Sequence, residues 1–160
     1  MEVILYTHPS PRQSAKWIAD STLHSQLSIS GRIITCAFEM LLYSKMEHGY
    51  IVTPSHYQSP FVYWAMSYDV MLWLIEYHSC IQEEHNRLYH SKFSLYQFDL
   101  ECRKHLSTLI KIPFTEPNKE WLPYDCVLEN SIDSFRKYSM RVIRSKFRRP
   151  SRRPYWSNIH

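Results

Sequence analysis

Glycine is nearly missing from this 160-residue chain: only Gly31 and Gly49 occur. That excludes the glycine-rich loops that cradle phosphates, because neither a GxGxxG run nor a P-loop can be written. It also disfavours a fold of many tight hairpins, whose turns lean on glycine. Cysteine pairs are missing as well. Cys36, Cys80, Cys102 and Cys126 are widely spaced, with no CxxC, which leaves no basis for a zinc knuckle. The thiols read as buried and reduced, as in a cytoplasmic protein. No apolar run reaches the roughly 18 residues of a membrane span, and no signal peptide opens the chain. The last absence is of acid: no Asp or Glu follows Asp133.

That final stretch is instead basic. Arg136, Lys137, Arg141, Arg144, Lys146, Arg148, Arg149, Arg152 and Arg153 place nine of the 19 basic residues in the last 27 positions. The rest of the chain holds 10 basic residues against 15 acidic, a net −5. A basic pole on an acidic body suits a polyanionic partner. Tyr155 and Trp156 stand beside these arginines, and flat rings stack on bases while guanidinium groups neutralise phosphates. A solubilising tail would be poor in aromatics.

Elsewhere the pattern is helical. Hydrophobic content is 44% and aromatic content is 15%, with 12 Tyr and 5 Trp. "EVILYT" (2–7) is an apolar strap or lone strand, ended by the prolines of "HPSP". A helix is expected from about 13 to 45, bent near Gly31, with Gly49 at its C′ position. "IVTPSHYQSP" is a loop. A second helix starts with Ser59 as N-cap and Pro60 at N1, and runs to about His90 as the central apolar helix. A third covers roughly 93–111, and "VLENSIDSFRKYSMRVIRSKF" is the last. The expectation is an all-α fold, one compact domain of about four to five helices over residues 1–147, with a basic, aromatic tail over 148–160.

Several residue groups bear chemistry. Glu76 and Glu83 share a helix face, where solvated charges are the ordinary reading. His78 and His85 lack HExxH spacing, so no metal site is assigned and no cofactor is implied. Asp69 sits in an apolar stripe and, if buried, needs a partner, for which Arg32 is the candidate. The oddest stretch is "ADSTLHSQLSISGRII" (19–34), with Ser21, Ser25, Ser28 and Ser30 in one helix, although serine competes with the helix for backbone hydrogen bonds.

"SPFVYWAMSYDVMLWLIEYHSCIQEEHNRLYH" (59–90) resembles the central segment of a phage-encoded family of small all-α proteins. Pro60 and Trp64 keep the family's Pro-to-Trp spacing, and Trp73–Leu74 keep its "WL". Glu84, Arg87 and Tyr89 echo its "EYxxRY", "SFRKYS" (Phe135, Arg136, Tyr138) its "YRxYY", and Pro154–Tyr155–Trp156 its terminal Pro-x-Trp. That family is in turn similar to the pyrimidine-dimer DNA glycosylases, whose first helix matches here at Asp20, Leu23 and Arg32. The resemblance implies a compact helical protein that acts on, or recognises, a modified or damaged base in duplex DNA, with the base flipped into a groove on the first helix. The glycosylases carry a catalytic Glu in that helix. Here Ile29 holds the position, and an isoleucine cannot move a proton. Ser59 replaces the His of the family's N-H-P, and Glu2 disfavours removal of Met1.

Two functions follow. The first is a glycosylase-like or base-modifying enzyme. Its catalytic candidates are His24, Gln26, Arg32 and Glu39, with His56 a further possible base. Its nucleic-acid contacts are Ser28, Ser30, Arg136, Tyr138, Arg144, Arg148, Arg149, Arg152, Arg153 and Trp156. The second is a non-catalytic DNA-binding or anti-defence relative that has lost the catalytic Glu. The partner expected in both is DNA, with no membrane, in the host-cell cytoplasm if phage-encoded. An acidic protein partner would suit the basic pole equally.

Overall fold

The computed structural model describes residues 2–90, 95–142 and 154–157. Among these the fold is all-α: α1 (Pro11–Lys16), α2 (Leu23–Leu42), α3 (Pro60–Trp64), α4 (Tyr68–Tyr89), α5 (Tyr96–Lys104) and α6 (Ser131–Val142), joined by short 3₁₀ turns. α4 is central and packs against both α1 and α2. No helix among the described residues is long and apolar enough to cross a membrane.

The first expected helix is in fact two. Ser10 caps α1 by accepting from the Gln13 N–H, with Pro11 in the first turn. The chain then leaves helical geometry. Ala19 is extended (φ −62°, ψ 143°), which lets both Ile18 and Ala19 enter the core, and a 3₁₀ turn Asp20–Thr22 leads into α2. α2 passes Gly31 without a break. Its end is set by Tyr43 in the left-handed region (φ 54°), not by Gly49. Gly49 answers a different need: a Cβ there would stand 2.8 Å from both Met46 Cβ and Thr35 Cγ2.

The second expected helix is also divided. Ser59 and Pro60 start α3 as N-cap and first helical residue. The chain opens at Ser67, where the Tyr68 N–H donates to Ile110 O (2.8 Å) and the Ile110 N–H to Met66 O (3.3 Å). That pairing anchors the 105–115 segment on the core, so the third expected helix stops at Lys104 and becomes a 3₁₀ turn, Leu106–Thr108.

Residues 2–7 are a buried strap without strand pairing. Val3, Ile4, Leu5, Tyr6 and Thr7 are all 2% exposed or less. Because a buried strap must find partners for its backbone, side chains supply them. Ser14 Oγ accepts from the Thr7 and His8 N–H groups and donates to His8 O. Gln26 does the same further along, as described below. Aromatic rings fill the centre: Tyr6, Trp73, Tyr77, Phe61 and Phe135 form a chain of ring contacts with centroids 5.0–6.3 Å apart. Trp64 and Trp73 place their indole N–H groups on Thr115 O and Pro9 O, both at 2.7 Å. The four cysteines are buried and unpaired.

Candidate functional site: two depressions beside helix α2

The serine-rich helix borders two separate depressions. The first, about 350 Å³, lies between the strap, the start of α2 and α6, and is lined by Val3, Leu5, Ser21, Thr22, Ser25, Gln26, Ile29, Tyr138 and Val142. The second, about 500 Å³, lies on another face of the same helix and is lined by His24, Leu27, Ser28, His48, Gly49, Tyr50, Gln82, His85 and Leu95. Helical periodicity makes the division: positions 22, 25, 26 and 29 share one face, and positions 24, 27 and 28 share the next. A single groove lined by His24, Ser25, Gln26, Ser28 and Ser30 does not form.

The serines therefore have distinct roles. Ser21 and Ser25 line the first depression, and Ser28 the second. Ser30 lines neither. It is fully buried, and its hydroxyl donates to Gln26 O (2.7 Å) and Leu27 O (3.1 Å) inside the helix.

Gln26 is the pivot between strap and helix. Its Oε1 accepts from the Leu5 N–H (3.2 Å) and the Tyr77 hydroxyl (2.6 Å), and its Nε2 donates to Val3 O (2.8 Å). It forms part of the floor of the first depression while holding the fold. Tyr77 is fully enclosed, and burial raises its pKa far above the ordinary tyrosine value.

The other catalytic candidates lie apart. Arg32 pairs with Glu2, not with Asp69. Asp69 is exposed in the first turn of α4, where a carboxylate suits the helix N-terminus, so it needs no buried counter-charge. Glu2 also approaches His56 Nε2 (3.8 Å), and the ring's Nδ1 accepts from the Thr53 N–H (2.9 Å) in a capping box. Glu39 is buried near the far end of α2. It accepts from the Tyr57 hydroxyl (3.2 Å), with Lys45 Nζ 3.9 Å away. Thus His24, Gln26, Arg32 and Glu39 do not converge on one point. Glu76 and Glu83 flank Arg12 (3.9 and 3.7 Å) on an exposed face. Among the described residues no group of three or more His, Cys, Asp or Glu could hold a metal ion.

At the basic pole, Tyr138 lines the first depression, and burial raises its pKa. Arg141 pairs with Asp125 (2.6 Å). Arg136 is enclosed by the chain's own rings. Its guanidinium carbon lies 5.7 Å from the Trp17 centroid and 5.5 Å from those of Tyr155 and Trp156, and its Nε donates to Thr7 O (3.0 Å). The sequence places Arg136 and Trp156 among the nucleic-acid contacts; in the fold their side chains lie against each other. Arg144, Arg148, Arg149, Arg152 and Arg153 lie outside the described residues.

No protein-family model, no curated protein and no solved structure matches the chain. The functional reading therefore rests on the geometry above and on the sequence.

Proposed function

We propose that this is a DNA-binding protein that recognises a base displaced from the duplex, with the depression between α2 and α6 as the seat of that base. One observation carries the reading. The rim of that depression includes Val142, and the first of the five further arginines, Arg144, follows two residues later. A hydroxyl-lined recess with the Tyr138 ring in its wall thus ends, in sequence, just before the chain's most basic run. Its lining suits a base: Ser21, Thr22 and Ser25 offer donors and acceptors, Tyr138 a ring, and Val3, Leu5 and Ile29 apolar walls. A recess of this size falls within the usual range for small-molecule sites, roughly 300–1,000 Å³.

Recognition is favoured over bond cleavage by the composition of that wall. Ile29 stands in it where the similar glycosylases carry a carboxylate, and among the described residues the lining contains no carboxylate and no imidazole. The groups present hydrogen-bond well but are weak bases.

The test is fluorescence anisotropy with duplexes that are intact, mismatched or carry one modified base. Mismatched and modified duplexes should bind more tightly, since a weakly paired base costs less to extrude. Ser25→Trp, which fills the recess, should abolish that preference and leave binding to intact duplex unchanged. Equal affinity for every duplex refutes the base seat, and no binding at low salt refutes the reading as a whole. Release of a base from any of these duplexes would replace recognition with catalysis.

A further inference from the structure

The second depression is a built pocket that the DNA reading does not use. We propose that it binds a neutral, flat heteroaromatic molecule of nucleobase to nucleoside size that carries a ring N–H donor.

Three observations define the ligand. The first is that the wall is in place before any ligand arrives. The Tyr50 ring lies so close against α2 that a Cβ on Gly31 would come within 2.3 Å of it. Its hydroxyl meets His78 Nε2 at 2.7 Å, its N–H donates to Thr35 Oγ1 at 3.0 Å, and its ring stands nearly perpendicular to that of Phe98, with centroids 5.3 Å apart. A wall fixed by four contacts costs little ordering when a ligand binds.

Charge is the second. Among the described residues the lining holds no Lys, Arg, Asp or Glu. Burial and the neighbouring His24 both lower the pKa of His85, which favours its neutral ring at pH 7. A charged ligand would lose water here and meet no fixed counter-charge from the described lining residues. The His24 and His85 rings, with centroids 5.7 Å apart, line the pocket beside Leu27 and Tyr50, and a lining rich in rings suits a planar guest.

Third, the pocket contains an amide with a missing partner. Gln82 is 7% exposed, and its Nε2 donates to Asn86 Oδ1 (2.7 Å). Its Oε1 is buried without a hydrogen-bond partner among the described residues. Buried acceptors are rarely left so. A ligand N–H meeting this oxygen would supply the bond, with any adjustment taken up by the soft terminal torsion of the amide.

The test compares inosine, a neutral lactam with a ring N–H, with its N1-methyl derivative, by calorimetric titration of the full chain. Inosine should bind saturably, and the methylated compound about ten-fold more weakly, the loss of one hydrogen bond to a buried acceptor. Gln82→Leu should erase the difference. Independently of whether that variant folds, the imidazole NMR signals of His24, His48 and His85 should shift with inosine in the wild-type protein, and the Tyr138 ring signals should not. Absence of inosine binding at millimolar concentration, equal affinity for both compounds, or shifts at Tyr138 in place of the histidines would each overturn the proposal. Shifts at Tyr138 would instead place the base in the first depression; the other outcomes leave the DNA reading untouched, so the two proposals fail separately.

Discussion

Replacing Gln26 with leucine tests how the strap is held. Leucine keeps the bulk and removes both polar ends. Three groups then lose their partner: the Leu5 N–H, the Tyr77 hydroxyl and the Val3 carbonyl. All three residues are 2% exposed or less, so water does not replace the lost bonds. Leaving one buried polar group unpaired costs about 1–3 kcal/mol. Apolar burial of the new side chain offsets part of this, and the expected net loss is about 3–5 kcal/mol. Against a typical total of about 5–15 kcal/mol, that is a large fraction of the stability. Urea titration followed by circular dichroism measures it, with an unchanged m-value required for the comparison. Tyr77→Phe alone should cost about 1–2 kcal/mol, and the double variant less than the sum, because the two share Gln26 Oε1. A loss below about 1 kcal/mol for Gln26→Leu would refute the reasoning: the strap would then be held by apolar burial alone.

Other consequences follow from named groups. His78 is fully buried and its pKa is pushed down to about 3 by that burial. The unfolded chain takes up this proton near the ordinary value of about 6.5, so stability is full above that pH and falls as pH drops from there toward 3, by about 2 kcal/mol at pH 5; denaturant titrations at pH 7.5 and 5 should show the loss, and His78→Gln should flatten it. Arg136→Ala removes the cation from between three rings and the bond to Thr7 O. It should cost about 1–2 kcal/mol and alter tryptophan emission, with Arg136→Lys restoring only part of the loss; unchanged melting and emission would contradict the enclosure. Burial raises the Cys36 and Cys80 thiols to about 12 and about 11, and all four cysteines are buried. A disulfide reagent at pH 8 should label none in the native protein and all four after unfolding; rapid native labelling would contradict the packing.

What was legible in the sequence depended on whether a local rule decided it. The all-α class followed from the scarcity of glycine and the 3.6-residue periodicity. The start of α3 followed from Ser59–Pro60, because capping is a local event. The breaks at Ile18–Ala19 and Ser67 were not legible. Neither has a proline or glycine to mark it, and both serve burial or pairing with distant residues. Gly49 looked like a helix stop but is required by close packing against Thr35 and Met46. Of the unusual serines of 19–34, Ser21, Ser25 and Ser28 line depressions and Ser30 is buried inside α2. The division into two depressions needed the third dimension, since Tyr138, Gln82 and His48 come from other parts of the chain. Charge was misread in the same way. Arg32 was expected beside Asp69, yet the strap brings Glu2 to it from the far end of the sequence. Gln26 is the sequence signal for this anchor: a lone amide in the serine-rich start of α2, beside an apolar strap without strand pairing, is a natural partner for that strap's buried backbone groups.

The central claim is that the basic C-terminal run binds DNA. Its most direct test is the affinity for a short duplex, measured across a salt series with the wild-type chain and a variant in which Arg144, Arg148, Arg149, Arg152 and Arg153 are all replaced by glutamine. The account predicts that log affinity falls linearly with log salt for the wild type, with a slope set by the phosphates neutralised. The variant should bind more weakly at low salt and with a distinctly shallower slope. No binding by the wild type at low salt, or the same slope for both proteins, would contradict it.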